Sequence, residues 1–302
     1  MFTIGTDPEF IINDEINFIS AIKKFPCQQR AIKKNKNKFY YDNVLVEIQI
    51  KEAKSKKEFV SNIGTAICDL VDLSKPYSVS NCSFAEFPQS ELTHPDSRSI
   101  GCNPEYCAYD LKMIEQPLNV IKTTGLRSAG GHIHLGAKFL YENSYDVIHT
   151  VRLLDLFLGI PSIFLDKTDG CERRKTIYGK AGSHRLTDYG LEYRTLSNFW
   201  LFSPELCFYV YETCEFVLEF VHQKKYTQLW TLDEKSLLNG NPSKAFKTQN
   251  FDVVKLRKCL NSNDKKTGKE FLKIIKSFLP NHLYNNINEL CNIKYDIKSN
   301  WI

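Results

Sequence analysis

The chain has 302 residues, 42% of them hydrophobic, and 40 Lys plus Arg against 35 Asp plus Glu leave a net charge of +5. A chain of this size can bury a large core, either as one domain or as a domain with an appendage. The small positive excess tolerates an anionic partner but is far from the footprint of a nucleic-acid-binding protein.

In chain order, a first strand is expected around Phe2 to Ile12, ended by the Asn13-Asp14-Glu15 turn signal. The lysine-rich stretch from Ile22 to Lys38 reads as an exposed hairpin or loop. A solvated loop is favoured over a nucleic-acid patch, because no aromatic platform interrupts it before Phe39-Tyr40-Tyr41, so a nucleic-acid partner is possible but not indicated. Tyr40-Tyr41-Asp42-Asn43 leads into Val44 to Ile50, a β-branched strand with Glu47 and Gln49 on one face. Ser55-Lys56-Lys57-Glu58 is a capping box. It opens a helix with Phe59, Ile63 and Ile67 on one side, closed by Pro76. A further strand is expected at Tyr77 to Phe87, followed by a loop from Pro88 to Gln116.

After a strand bearing His132 and His134, Ser144 to Leu158 carries an apolar stripe of helical period, and Gly159 with Pro161 is expected to end it. A polar stretch from Lys167 to Tyr189 delivers the chain to a strand around Glu192. Ser203-Pro204-Glu205 then starts an apolar helix that runs to about Val221. Beyond Asn239 the chain turns Lys- and Asn-rich. A capping box at Thr267-Gly268-Lys269-Glu270 opens a helix there, and Pro280 closes it. A weakly marked boundary falls near Gly240. Strands come early and late without regular alternation with helices, which argues for an α+β fold with a largely antiparallel sheet. Neither common phosphate loop, GxxxxGK[ST] or GxGxxG between strand and helix, is present.

The ten cysteines form no CxxC pair and no cluster with metal-site spacing, so they read as reduced thiols in a cytosolic setting. The start of the chain shows no basic and apolar leader, and no uninterrupted apolar run approaches the ~18 residues of a spanning helix. These features predict a soluble, cytoplasmic protein with no membrane partner.

Three short stretches carry the chemistry. His132 and His134, Glu192 and Arg194, and Asp7 and Glu9 are each spaced i, i+2, which on a strand points both side chains to one face. Imidazoles with carboxylates suit a divalent metal, and an arginine suits a phosphate oxygen. One histidine in a glycine-rich turn would read as a core residue, whereas two on one face, in a chain with seven, read as a site. Glu192, Arg194 and Glu47 lie in apolar surroundings, where buried charges demand partners or metal. Asp7 and Glu9 have a second reading as a turn around Pro8, which fits a sheet only at an edge or bulge. The basic run from Arg173 to Arg185 reads equally as a solvated loop or as a flap over a phosphate.

Gly5-Thr6-Asp7-Pro8-Glu9-Phe10, the Glu47 strand, Gly101-Cys102-Asn103-Pro104, Gly130-Gly131-His132-Ile133-His134-Leu135-Gly136 and Leu191-Glu192-Tyr193-Arg194 occur in this order. As an ordered set they resemble the phage-type COOH·NH2 ligases, a branch of the glutamine synthetase and glutamate–cysteine ligase superfamily. The resemblance spans Met1 to Leu218, and the tail from Gly240 onward adds nothing to it. The Lys/Asn-rich composition suits a phage or another AT-rich genome.

The resemblance implies a glutamine-synthetase-like domain over residues 1–240, with a curved, mainly antiparallel sheet flanked by helices, and a helical extension over 241–302 packed on it. It implies ATP with two or three Mg²⁺ or Mn²⁺ ions. Glu9, Glu47, His132 and Glu192 become metal ligands, and Asp7 a ligand or the partner of one. His134, Arg174, Lys180, Arg185 and Arg194 become nucleotide or phosphate contacts, with Arg194, Arg185 and Glu47 in catalytic roles.

The implied activity is ATP-dependent amide formation through an acyl phosphate. Its acid is a small molecule, a peptide or a modified nucleobase bearing a carboxylate, joined to an amine-bearing co-substrate. The alternatives are a phosphotransferase of the guanidino-kinase type and a non-catalytic phage binding protein with a decayed site.

Overall fold

A computed structural model of the chain describes residues 2–99, 105–115, 118–233, 235–236, 246–248 and 252–302. Its centre is a ten-stranded sheet. From one edge the order is Lys112–Met113, Tyr106–Cys107, Ser183–Thr187, Gly190–Tyr193, Ile133–Gly136, Thr3–Thr6, Leu45–Ala53, Asn37–Asp42 and Ile32–Lys34, with Glu9–Phe10 paired to the Leu45–Ala53 strand. Every pairing within it is antiparallel. The α+β reading with a mainly antiparallel sheet therefore holds.

Alternation along the strands gives the sheet two unlike faces. Ile4, Leu135 and Leu191 lie in register and are buried on one face, while Gly5, His134, Glu192 and Arg185 form the adjacent row on the other. The helices Lys56–Ser74 and Pro204–His222 contribute Phe59, Ile63, Ile67, Val210 and Val217 to the same core as the apolar strand residues. Both start on serine caps. Ser55 accepts from the Glu58 amide at 3.3 Å, and Ser203 from the Leu206 amide at 3.3 Å. At burial worth about 1.5–3 kcal/mol for each large apolar side chain, this layer dominates the stability of the sheet.

Several expected elements come out differently. The first strand is broken into Thr3–Thr6, Glu9–Phe10 and Ile12–Asn13. Pro8 has no amide to give the ladder, and the register against Leu45–Ala53 shifts between Ile4 and Thr6. The segment Tyr77 to Phe87 holds only the short strands Ser78–Val79 and Phe84–Glu86. The loop after Pro88 contains two 3-10 turns and the outer sheet strands.

Gly159 and Pro161 do not end their helix. Ser144–Leu154 passes through a π turn at Asp155–Gly159 into Ile160–Leu165, and Pro161 sits in the first turn after the π turn, where its missing amide is tolerated. The resulting Ser144–Leu165 helix is long and apolar enough to cross a membrane, with mean hydropathy 1.6, but 83% of that window is buried inside the protein as a core helix.

The helix expected to open at Thr267 begins at Lys265. The Asp264 carboxylate caps it, accepting from the Lys266 amide at 2.9 Å and the Thr267 amide at 3.2 Å. Beyond residue 252, Leu256, Phe271, Ile275, Leu283 and Ile287 join the same core as the sheet and its helices. Trp301 donates its indole N–H to the Leu201 carbonyl at 2.9 Å. The boundary at Gly240 and the Gly101-Cys102-Asn103-Pro104 motif lie outside the described residues.

Candidate active site

The His132 strand is held in place by its glycines. A Cβ on Gly131 would fall 2.4 Å from the Ser197 carbonyl oxygen and 2.6 Å from the Trp200 indole nitrogen, so only glycine lets the turn after Leu196 come this close. Thr6 anchors the other side, its hydroxyl donating to the His132 carbonyl at 2.6 Å. Both imidazoles consequently project from the polar face.

A first group of ligating side chains gathers there: Asp7, just after the Thr3–Thr6 strand, His132, just before Ile133–Gly136, and Glu192, within Gly190–Tyr193, whose candidate donor atoms all lie within 4.8 Å of one another. His132 Nδ1 is 3.4 Å from Asp7 Oδ1 and 3.3 Å from Glu192 Oε1. His134 Nε2 lies 2.9 Å from Asp7 Oδ1, and its Nδ1 meets the Tyr189 hydroxyl. Burial alone would raise the Asp7 carboxyl, but the charges of His134 and His132 outweigh it and hold the group well below the usual carboxylate range. Burial in turn opposes protonation of His134, and Asp7 more than offsets this, raising the imidazole above its ordinary value.

Glu192 has no exposed surface and is flanked by Arg185 and by Arg194, whose Nη1 is 3.5 Å from Oε1. Arg194 Nε donates to the Tyr178 hydroxyl at 2.6 Å, and that hydroxyl is 3.4 Å from His132 Nε2. Asp7 Oδ1 and both Glu192 oxygens are buried without an aligned hydrogen bond, although charged groups stand near them. Two carboxylates and an imidazole with such oxygens fit a divalent cation.

Next to it stands a second group, Glu9, Asp42 and Glu47, again with candidate donor atoms within 4.8 Å. The register explains it. Glu9 pairs with Glu47 across the sheet, Tyr40 pairs with Glu47 from the other side, and Asp42, two residues on from Tyr40, shares that face. Glu9 accepts from the Gly130 amide at 2.6 Å and Glu47 from the Tyr40 hydroxyl at 2.7 Å. Loss of water raises all three carboxyls. Glu9 is pushed up to about 7, and Glu47 rises well above its usual value with the added repulsion of Asp7, Asp42 and Glu9. Three carboxylates this close cannot all stay ionised without a cation, and oxygen-only donors suit Mg²⁺ or Mn²⁺.

A cavity of about 760 Å³ opens onto this face, with Asp7, Asp42, Glu47, His134, Arg185 and Tyr189 in its wall. Glu9, His132 and Glu192 stand behind that wall, each against a lining group, and Arg194 stands one layer further back, against Glu192.

Arg174 and Lys180 do not join them. Arg174 is buried and committed to backbone, donating through Nη1 to the Thr195 carbonyl and through Nη2 to the Leu196 carbonyl, both at 2.9 Å. Lys180 is exposed and outside the cavity wall, since the turn uses its carbonyl to accept from the Thr195 hydroxyl at 3.2 Å. Asp42, Tyr178 and Tyr189 were not singled out from sequence. The i, i+2 spacing of Tyr40 and Asp42 was a usable signal for the first, whereas the two tyrosines sit in loops with no periodicity.

The family model described as "Phage phiEco32-like COOH.NH2 ligase-type 2" matches residues 124–301. That stretch includes His132, His134, Arg185, Glu192 and Arg194, and it also includes the tail beyond residue 240, which the sequence resemblance had left out. No curated protein matches the chain. Among solved structures, a bifunctional glutathione synthetase from Pasteurella multocida is similar with a TM-score of 0.44 and 11% identity, over 99% of this chain and 48% of that one. The chain thus spans about half the length of that protein.

Proposed function

The chain belongs to the phage phiEco32-like COOH·NH2 ligase-type 2 family, and on that premise we propose that it is an ATP-dependent carboxylate–amine ligase working through an acyl phosphate. The observation that carries this reading is the pair of ligand groups, Asp7–His132–Glu192 and Glu9–Asp42–Glu47, standing side by side on one cavity with Arg185 and Arg194 against the first. Each group would hold a divalent ion, Mg²⁺ or Mn²⁺, and such ions supply charge neutralisation to nucleotide phosphates. His134 and Arg185, in the cavity wall, would face the phosphates. We also read the sheet as glutamine-synthetase-like, with residues 1–240 as the ligase domain and 241–302 as its extension.

A carboxylate does not condense with an amine unaided, because it has no leaving group. In the proposed first step a carboxylate oxygen of the acid attacks the γ-phosphorus and ADP leaves. Arg194 and Arg185 offset the negative charge spread over the transferred phosphoryl oxygens. In the second step the amine nitrogen attacks the acyl carbon and inorganic phosphate departs with the C–O bonding pair. An alkyl ammonium, with a pKa near ~10, must first lose a proton. A carboxylate of the cavity wall is the acceptor that the site offers for this proton. A site rich in carboxylate and imidazole favours this reading over a guanidino-kinase-like phosphotransferase.

The test is metabolite profiling of cells with and without the protein, searching for a new amide, followed by product analysis with the pair so found. ADP and phosphate are expected. AMP and pyrophosphate would mean adenylation and would overturn the acyl-phosphate route. Calorimetry with a non-hydrolysable ATP analogue checks the metal requirement, and equal affinity with and without EDTA would sink it.

A further inference from the structure

Behind the sheet, on the face opposite the cavity, lies a polar network that the proposed chemistry does not use. Asp155 opens the π turn of the Ser144–Leu165 helix and has no exposed surface. Its Oδ1 accepts from the Tyr193 hydroxyl at 2.7 Å and from the Thr195 hydroxyl at 3.1 Å. Those two residues flank Arg194, and alternation along the chain sends their side chains to the opposite side from its guanidinium.

The next peptide units are gripped as well. The Thr195 carbonyl accepts from Arg174 Nη1 at 2.9 Å and Lys175 Nζ at 2.8 Å, and the Leu196 carbonyl from Arg174 Nη2 at 2.9 Å. The Arg194 amide donates to the Ser183 carbonyl at 3.0 Å. The side chains on both sides of one site arginine, and the carbonyls that follow it, are thus held by charged groups that do not themselves reach the cavity wall.

We propose that Asp155 is a positioning residue for Arg194, holding Tyr193 and Thr195 so that the guanidinium is presented to the γ-phosphate, with Arg174 and Lys175 fixing the carbonyls that follow. This rests on the reading of Arg194 as a contact of the transferred phosphate. A buried aspartate that merely stabilised the core would affect every ligand alike. A positioning residue affects the γ-phosphate selectively.

The experiment is calorimetric titration with Mg²⁺·AMP-PNP and Mg²⁺·ADP, the ratio of the two affinities reporting the γ-phosphate contact. Arg194→Ala defines the loss of that contact. Asp155→Ala should lower the ratio about 10-fold while ADP affinity stays within about 2-fold. Asp155→Asn keeps an oxygen that accepts from both hydroxyls and should restore the ratio to within about 2-fold of wild type. Asp155→Ala added to Arg194→Ala should cost no more than Arg194→Ala alone. If Asp155→Ala does not fold, the double variant Tyr193→Phe/Thr195→Val removes the same two bonds, along with the Thr195 contact to the Lys180 carbonyl, and should lower the ratio by a similar factor.

An unchanged ratio in the folded variants, or equal weakening of both nucleotides, overturns the inference. If wild type binds neither nucleotide, or Arg194→Ala leaves the ratio unchanged, the ligase reading of Arg194 fails first and this inference falls with it.

Discussion

Alanine at position 131 should push the His132 strand away from its support. Its Cβ would meet the Ser197 carbonyl oxygen at 2.4 Å, Trp200 Nε1 at 2.6 Å and Asn198 Cα at 3.0 Å, where ordinary contact begins at 3.4 Å. Close to 1 Å must be found, and two of the three obstacles are backbone atoms that no rotamer change can move. The third is the indole of Trp200, fully buried, stacked on Phe59 at 5.9 Å and donating to the Gly131 carbonyl at 3.2 Å. Overpacking costs about 1–3 kcal/mol and the lost hydrogen bond about 1 kcal/mol, so Gly131→Ala should lose about 2–4 kcal/mol and weaken Mn²⁺ binding by displacing His132. Gly5→Ala is the control, because its Cβ would sit 3.4 Å from Glu52 Cβ and 3.7 Å from His134 Cβ, in normal contact. That change should alter stability by less than about 1 kcal/mol. Urea unfolding followed by tryptophan fluorescence, with Mn²⁺ titration by EPR, measures both. Wild-type stability and wild-type Mn²⁺ affinity in Gly131→Ala would refute the close approach on which the His132 geometry depends.

Four other substitutions probe the site and the core. Asp42→Asn removes one of three mutually repelling carboxylates, so the metal-free protein should unfold at higher urea while Mn²⁺ affinity falls at least about 10-fold; a fall in both would show that Asp42 is structural. Glu192→Gln should weaken metal binding, whereas Arg194→Lys, which keeps charge but loses the planar fork, should spare it and slow single-turnover ADP release about 10²- to 10³-fold; wild-type turnover in both would place the site elsewhere. His149, buried and accepting from the Trp230 indole at 2.8 Å, has its imidazole lowered to about 3 by burial and by Arg152. The unfolded chain, with a histidine pKa of about 6.5, therefore binds the extra proton first, and stability is complete above that value and declines as pH falls. Relative to His149→Gln, wild type should lose about 2–3 kcal/mol between pH 7.5 and 4.5 in unfolding experiments; parallel pH profiles would contradict a neutral buried imidazole.

Much of the site was legible because the strand period is local. His132 with His134 and Glu192 with Arg194 needed only the alternation of a pleated backbone to be placed on one face, and each pair does stand together there. Ser55 and Ser203 announced their helices for the same reason, since a cap is settled within four residues. Arg174 could not be read this way: its basic neighbours matched a phosphate loop, and only the fold brought the carbonyls of Thr195 and Leu196 to its guanidinium. Gly159 and Pro161 looked like a helix end, yet burial of the whole Ser144–Leu165 segment favours carrying the chain onward through a π turn. Above all, the sequence says that carboxylates lie on strands but not which strands are neighbours. The register that pairs Glu9 with Glu47 and His134 with Glu192, and so sorts six ligating groups into two trios, is set by contacts between distant segments. Those contacts are selected by burying the apolar face on its helices, and only the tertiary structure decides them.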